Sequence, residues 1–274
     1  MPDSCNEEER PMAFTDKVVW ITGASSGIGE SLAYALAKQG SRLILSSRNV
    51  QRLGEVKAGC ASAESHLVLP LDLEDSTAFD NAVARVLERF GRIDVLINCG
   101  GISQRGLAAE TSMETLRRIM ETDFFGAVGL TKAVLPSMIS NRSGHIVVIS
   151  SLMGKFSTPL RSGYCASKHA LHGYFDALRA ELQDKGIRVT IVCPGFIRTG
   201  ISVNALCADG SCHGVMDEAQ AKGMPPAVCA ERIVKGLEKG SEELLVGGRE
   251  IIGVYLKRFV PGLLSRIIAR TKVT

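Results

Sequence analysis

Tyr164 and Lys168 stand four residues apart, and Ser151, second of the Ser150-Ser151 pair, precedes the tyrosine by thirteen. Residues at i and i+4 share one face of a helix, so this spacing sets a phenol beside an ammonium. A phenol with its ordinary pKa of about 10 is a poor base at neutral pH. A neighbouring ammonium favours the phenolate and lowers that value. A serine hydroxyl aimed at the same point would hold a carbonyl oxygen and stabilise charge gathering there. Together the three residues read as an acid–base site for a carbonyl or an alcohol.

A second constellation is Thr22-Gly23-Ala24-Ser25-Ser26-Gly27-Ile28-Gly29, a GxxxGxG run between an apolar segment and a helical one. Glycines at such a turn let the backbone bend tightly and let a pyrophosphate approach the helix N-terminus, where amide donors and the dipole favour an anion. The spacing differs from the GxGxxG of the common dinucleotide fingerprint.

The elements that must position these groups alternate. Strands are predicted at 17–22, 42–46, 66–70, 94–98, 144–149, 188–193 and 242–246, the sixth cut by Pro194-Gly195. Helices are predicted between them, at 30–38, 50–59, 76–90, 113–141 with a break near Pro136, 163–185 and 226–239. The strands lack polar alternation, so both faces are covered and the sheet is parallel. The expected fold is α/β, a single doubly wound Rossmann-type domain over 15–248 with seven parallel strands and helices on both faces. A flexible stretch (1–14) precedes it and a basic extension (249–274) follows. In such sheets strand ends and helix N-termini meet at one crevice, where the serine, tyrosine and lysine would converge.

With these residues in view, the chain resembles the short-chain dehydrogenase/reductase family over roughly residues 15 to 248. That family spaces its serine, tyrosine and lysine as Ser151, Tyr164 and Lys168 are spaced here. The resemblance implies cofactor contacts along Gly23, Ser25, Ser26, Gly27, Ile28 and Gly29, and at Tyr164 and Lys168. It implies others at Asp72 and Leu73 beside the adenine, at Asn98 and Gly100, and at Pro194, Gly195, Ile197 and Thr199 beside the nicotinamide carboxamide. Two positions depart from its pattern. Cys99-Gly100 stands where the family has Asn-Ala, and Asp123 stands where the catalytic tetrad has asparagine. An ionised aspartate accepts hydrogen bonds but donates none, and its charge favours protonated Lys168. Altered pH dependence is expected.

Cofactor choice turns on Ser47-Arg48 after the second strand. An acid there would hold the ribose hydroxyls of NAD and repel a 2′-phosphate, whereas a guanidinium suits phosphate. The expectation is NADP(H) in preference to NAD(H). Substrate contacts are expected from 152–161 and 196–225, where Phe156, Leu160, Phe196, Ile197, Val203 and Leu206 offer apolar surface. An apolar ketone or secondary alcohol fits them. By resemblance, the helices over 113–138 and 163–184 would pair subunits into a homodimer or homotetramer.

Composition bounds the rest. The chain has 274 residues, 45% apolar and 22% charged, with a net charge of +3, too small an excess to argue for nucleic acid. Six basic side chains and one acidic occupy 249–274, where apolar runs alternate with cations. Such a segment could lie on an anionic membrane, cover the crevice or meet another subunit. Apolar runs fall short of the ~20 residues that span a bilayer, and the acidic start is unlike a signal peptide. The eight cysteines include no CxxC pair and several sit in apolar runs, so a reducing compartment is expected, cytoplasmic or on the cytosolic face of a membrane. No spacing marks a metal site. His66 and His145 read as packed residues. Beside the enzyme reading stand two others, a nucleotide-sensing module with faded catalysis and a membrane-associated scaffold.

Overall fold

Apolar strands without alternation need cover on both faces, and the chain supplies it. In the computed structural model, which describes residues 14–270, the elements run β1 (Val18–Thr22), α1 (Gly27–Lys38), β2 (Arg42–Ser46), α2 (Val50–Gly59), β3 (Leu67–Val68), α3 (Phe79–Phe90) and β4 (Val95–Asn98). Next come β5 (Gln104–Arg105), α4 (Met113–Met120), α5 (Gly126–Ser140), β6 (Gly144–Ile149), α6 (Ser162–Leu182) and β7 (Ile187–Pro194). The last are β8 (Leu206–Cys207), α7 (Glu218–Ala221), α8 (Pro226–Glu238), β9 (Glu243–Val246), α9 (Ile252–Phe259) and α10 (Pro261–Ile268). Residues 1–13, expected to be flexible, and 271–274 lie outside the described residues. Phe14 belongs to the core, 1% exposed.

Seven strands form one parallel sheet in the order β3-β2-β1-β4-β6-β7-β9. Trp20 pairs with Ile44 on one side and Leu96 on the other, which sets the central register. Successive side chains of a strand face opposite ways, and β1 sorts accordingly. Val18 and Trp20 join Val86 of α3, Leu130 of α5 and Phe175 of α6 in one buried cluster. Val19 and Ile21 join Leu36 of α1, Leu53 of α2 and Ile233 of α8 in another. The fold is therefore doubly wound. Because β1 lies between β2 and β4, the winding reverses beside it, and the crevice opens at the C-terminal ends of those strands.

Three local expectations change. The long helical stretch breaks at a π-helical turn, Glu121–Phe125, and α5 continues through Pro136. One bond lost near the end of α5 is outweighed by the burial of Leu130, Val134 and Met138. The sixth sheet strand is not cut at Pro194 but includes it, since Pro194 pairs with Val246 at the end of the ladder. The polar stretch 200–225 is anchored: β8 pairs with β5 in a separate two-stranded sheet. His66 and His145 are packed as expected, and burial pushes the His145 imidazole down to about 3.

Candidate active site

A cavity of about 970 Å³ opens at the crevice. Its floor is the turn from β1 into α1. Gly23 adopts φ +65°, and a Cβ there would stand 2.8 Å from Gly100 Cα. A Cβ on Gly29 would collide with the Gly23 carbonyl. Helix α1 begins at Ser26 without a side-chain cap, so its first amides are left for another acceptor. Gly23, Ser25, Ser26, Gly27, Ile28 and Gly29 all line the cavity. A tight, glycine-walled turn with free helix amides fits a diphosphate.

Ser151, Tyr164 and Lys168 line the same cavity, brought from the end of β6 and from α6. The Ser151 hydroxyl is close enough to the Tyr164 phenol to favour its ionised form; it donates to the Pro194 carbonyl at 3.5 Å and accepts from the Met153 amide at 3.1 Å. Lys168 Nζ lies 5.5 Å from the centre of the tyrosine ring and donates to the Ile149 carbonyl at 3.4 Å. Burial pushes the phenol up from its ordinary value, against the pull of Lys168 and with a further push from Asp123. The lowering expected from the ammonium alone is therefore reversed in the free protein, because desolvation penalises the phenolate more than one cation helps it.

Asp123 does not line the cavity; it stands behind Lys168, its side chain fully buried. Its Oδ2 is 3.5 Å from Lys168 Nζ and accepts from Ser167 Oγ at 3.0 Å, while Oδ1 accepts from the Ile102 amide at 2.7 Å. The π-helical turn carries Asp123 inward, and such turns recur at functional sites. Burial opposes the charge of Lys168, but Asp123, with Tyr164 and Cys99, outweighs it and raises the ammonium above its ordinary value. Asp123 is therefore placed to act on the site from behind, through its charge on Lys168 and on the Tyr164 phenol, rather than by touching a bound group.

Ser47, Arg48, Asp72, Leu73, Gly100, Pro194, Gly195, Ile197 and Thr199 also line the cavity, with Gly100 and Thr199 packed against the glycine turn. Asn98 is not on the wall: it is 3% exposed, and its Nδ2 donates to Thr131 Oγ1 at 3.0 Å beneath the floor. Arg48 is 56% exposed at the side chain and sits 3.8 Å from Glu74, a pair weak enough for an incoming anion to displace.

Both expected loops contribute to the walls, through Leu152, Met153 and Phe156 and through Phe196, Ile197 and Leu206, while Leu160 and Val203 do not reach them. Two further features complete the walls, the first without counterpart in the sequence and the second one of the three placements expected for the basic extension. One is a buried triad: Asp217 Oδ2 accepts from Arg105 Nη2 at 2.5 Å and from Arg161 Nη2 at 2.9 Å, with side chains 2%, 4% and 7% exposed. It ties the 200–225 stretch to β5 and to the start of α6. Widely separated charges within polar segments gave no local sign of it. The other is α9–α10, whose Leu256, Leu264 and Ile268 close the cavity from above. Glu250 fixes their start by accepting from the Phe196 amide at 3.1 Å.

A seven-stranded, doubly wound sheet with a glycine turn and a Ser–Tyr–Lys cluster at its crevice defines a Rossmann-like protein of the dehydrogenase/reductase kind. The chain belongs to the short chain dehydrogenase family, whose model matches residues 17–207. It is similar to dehydrogenase/reductase SDR family member 7B of Bos taurus, with 44% identity covering 92% of this chain and 80% of that one. Dehydrogenase/reductase SDR family protein 7-like of Drosophila melanogaster is 44% identical, covering 94% and 81%. Member 7 of Homo sapiens is 42% identical, covering 90% and 75%. Among solved structures, a short-chain dehydrogenase from Streptomyces avermitilis matches with a TM-score of 0.77 and 33% identity, covering 93% of this chain and 95% of that one. A short chain dehydrogenase/reductase from Burkholderia phymatum, in complex with NAD, matches with a TM-score of 0.81 and 22% identity, covering 92% and 96%. The resemblance expected from the Ser151, Tyr164 and Lys168 spacing and the glycine turn is thus met at the level of the family.

Proposed function

We propose that this oxidoreductase is NADP(H)-dependent and interconverts an apolar ketone and its secondary alcohol. The observation that carries the reading is the convergence of Ser151 and Lys168 on the Tyr164 phenol at the wall of a cavity that also holds the glycine turn. Bound nicotinamide would supply or accept the hydride. Tyr164 gives a proton to the carbonyl oxygen in reduction and takes it back in oxidation. Ser151 donates a hydrogen bond to that oxygen and stabilises its developing charge. Lys168 favours the phenolate, and Asp123 holds Lys168 in place and charged. Leu152, Met153, Phe156 and Leu256 make the substrate side of the wall apolar. The Ser47-Arg48 corner supports NADP(H): it offers a guanidinium and no acid of its own to the 2′-phosphate.

Titration with NADPH and NADH, followed by nicotinamide fluorescence, tests the cofactor. NADPH is expected to bind more tightly, and Arg48→Ala to weaken it by about tenfold or more while changing NADH affinity by less than about twofold. Equal weakening of both would leave Arg48 as a solvated partner of Glu74. Failure of either dinucleotide to bind folded protein would return attention to the scaffold reading.

Asp123→Asn tests the departure in the tetrad. The carboxylate raises the phenol, so its removal is expected to shift the limb on which alcohol oxidation rises with pH toward lower pH. The pH profile of kcat for both proteins reads this directly, and an unmoved limb would disconnect Asp123 from the proton-transfer step.

A further inference from the structure

The C-terminal helix pair has more apolar surface than the cavity uses. Leu256, Leu264 and Ile268 face the cavity, and Gly253 packs so closely on Phe156 that a Cβ would stand 2.9 Å from its ring. Tyr255, Phe259, Val260 and Leu263 are instead 56%, 75%, 47% and 50% exposed. Tyr255 and Phe259, four apart, share a face of α9, and Val260 and Leu263 continue the apolar surface past the corner at Pro261. Lys257, Arg258, Arg266 and Arg270 are interleaved with them and exposed. No Asp or Glu lies between Ile251 and Arg270, and none of these four cations forms an ion pair with another described residue. Among the described residues no helix is long and apolar enough to cross a membrane.

We propose that α9–α10 seats on an anionic phospholipid bilayer, with Tyr255, Phe259, Val260 and Leu263 entering the interface and the four cations at headgroup level. Charge decides the occupant. Two copies meeting through this face about a two-fold axis would bring eight cations together with no acid in either segment, which opposes association. Anionic headgroups match both the cations and the apolar side chains. The same two helices wall the cavity, so docking sets its mouth against lipid, the phase in which an apolar substrate concentrates. That consequence rests on the substrate reading above; the docking does not.

Flotation of the full chain with vesicles of phosphatidylcholine alone, and with about 30% phosphatidylserine added, at low and high salt, is the test. Binding is expected to the anionic vesicles and to weaken with salt. Lys257→Glu with Arg258→Glu is expected to weaken it more than about 25-fold, at about fivefold or more for each cation lost. Phe259→Ser with Leu263→Ser is expected to abolish it, with NADPH binding and elution volume unchanged. The surface charge pair keeps the test valid if the apolar pair disturbs folding. Absence of binding to either vesicle would overturn the proposal. So would apolar variants that leave vesicle binding intact but reduce the size of an oligomer, which would assign the face to a second copy.

Discussion

Tyr164→Phe is expected to lower turnover by about 10²–10⁴-fold, the range for removal of a positioned general acid–base group, with NADPH affinity changed by less than about twofold. The substitution removes one oxygen from a ring that is 8% exposed and tightly held, so the packing of α6 is retained. What disappears is the proton that must move as the carbonyl oxygen gains charge. No other hydroxyl replaces it: Ser151 accepts from the Met153 amide, and an alkyl hydroxyl is a far weaker acid than a phenol. The phenol gives up its proton in the chemical step and contributes little to ground-state binding, so kcat and kcat/KM are expected to fall together. Stopped-flow turnover with a reducible ketone, alongside a fluorescence titration of NADPH, separates the two effects. Residual turnover within tenfold of the parent would exclude the phenol as the proton carrier and assign that step to another group.

The second large effect is on stability. Asp217→Ala is expected to lower the free energy of unfolding by about 3–5 kcal/mol, the cost of leaving buried charge without its partner. Asp217 is the shared anion of Arg105 and Arg161, and burial works against its charge while those two guanidinia hold its carboxyl below the usual carboxylate range. Removal leaves two like charges adjacent in a wall 4% and 7% exposed. Urea unfolding read by the buried Trp20 measures the loss. The 200–225 stretch hangs on this anion, so it is expected to become protease-sensitive before the sheet unfolds. Asp217→Asn keeps the shape and removes the charge; a loss as large as that of the alanine variant would assign the effect to charge. A loss below about 1 kcal/mol in both would mean that the guanidinia rehydrate through the cavity.

Much of the fold was legible because its signals are local. Apolar runs without alternation announce buried parallel strands, as in Val18–Thr22, and the count and direction of the seven strands followed. The helix after β6 starts and stops within a few residues of its expected ends. The Ser151, Tyr164 and Lys168 cluster was legible for the same reason, since a four-residue interval on a helix is a statement about a shared face. Pro136 misled, because a propensity penalty of one lost bond says nothing about the buried face that offsets it.

Other features arise only when distant segments meet. Arg105 and Asp217 are 112 residues apart, and Arg161 and Asp217 56 apart, so no pattern in either neighbourhood marks a shared buried anion. The resemblance implies a wall residue at Asn98, the last of β4, yet its side chain is buried and donates to Thr131. The direction in which the Tyr164 phenol shifts was likewise beyond reach: the neighbouring cation is visible in the spacing, but the desolvation that outweighs it is a property of burial. The sequence by itself determined which residues alternate, cap, turn and share a helical face, because those properties depend on neighbours within a few positions. Tertiary structure decided which charges are dry, which face of the basic tail closes the cavity and which face remains exposed, because dielectric environment and shape are set by atoms that chain order keeps far apart.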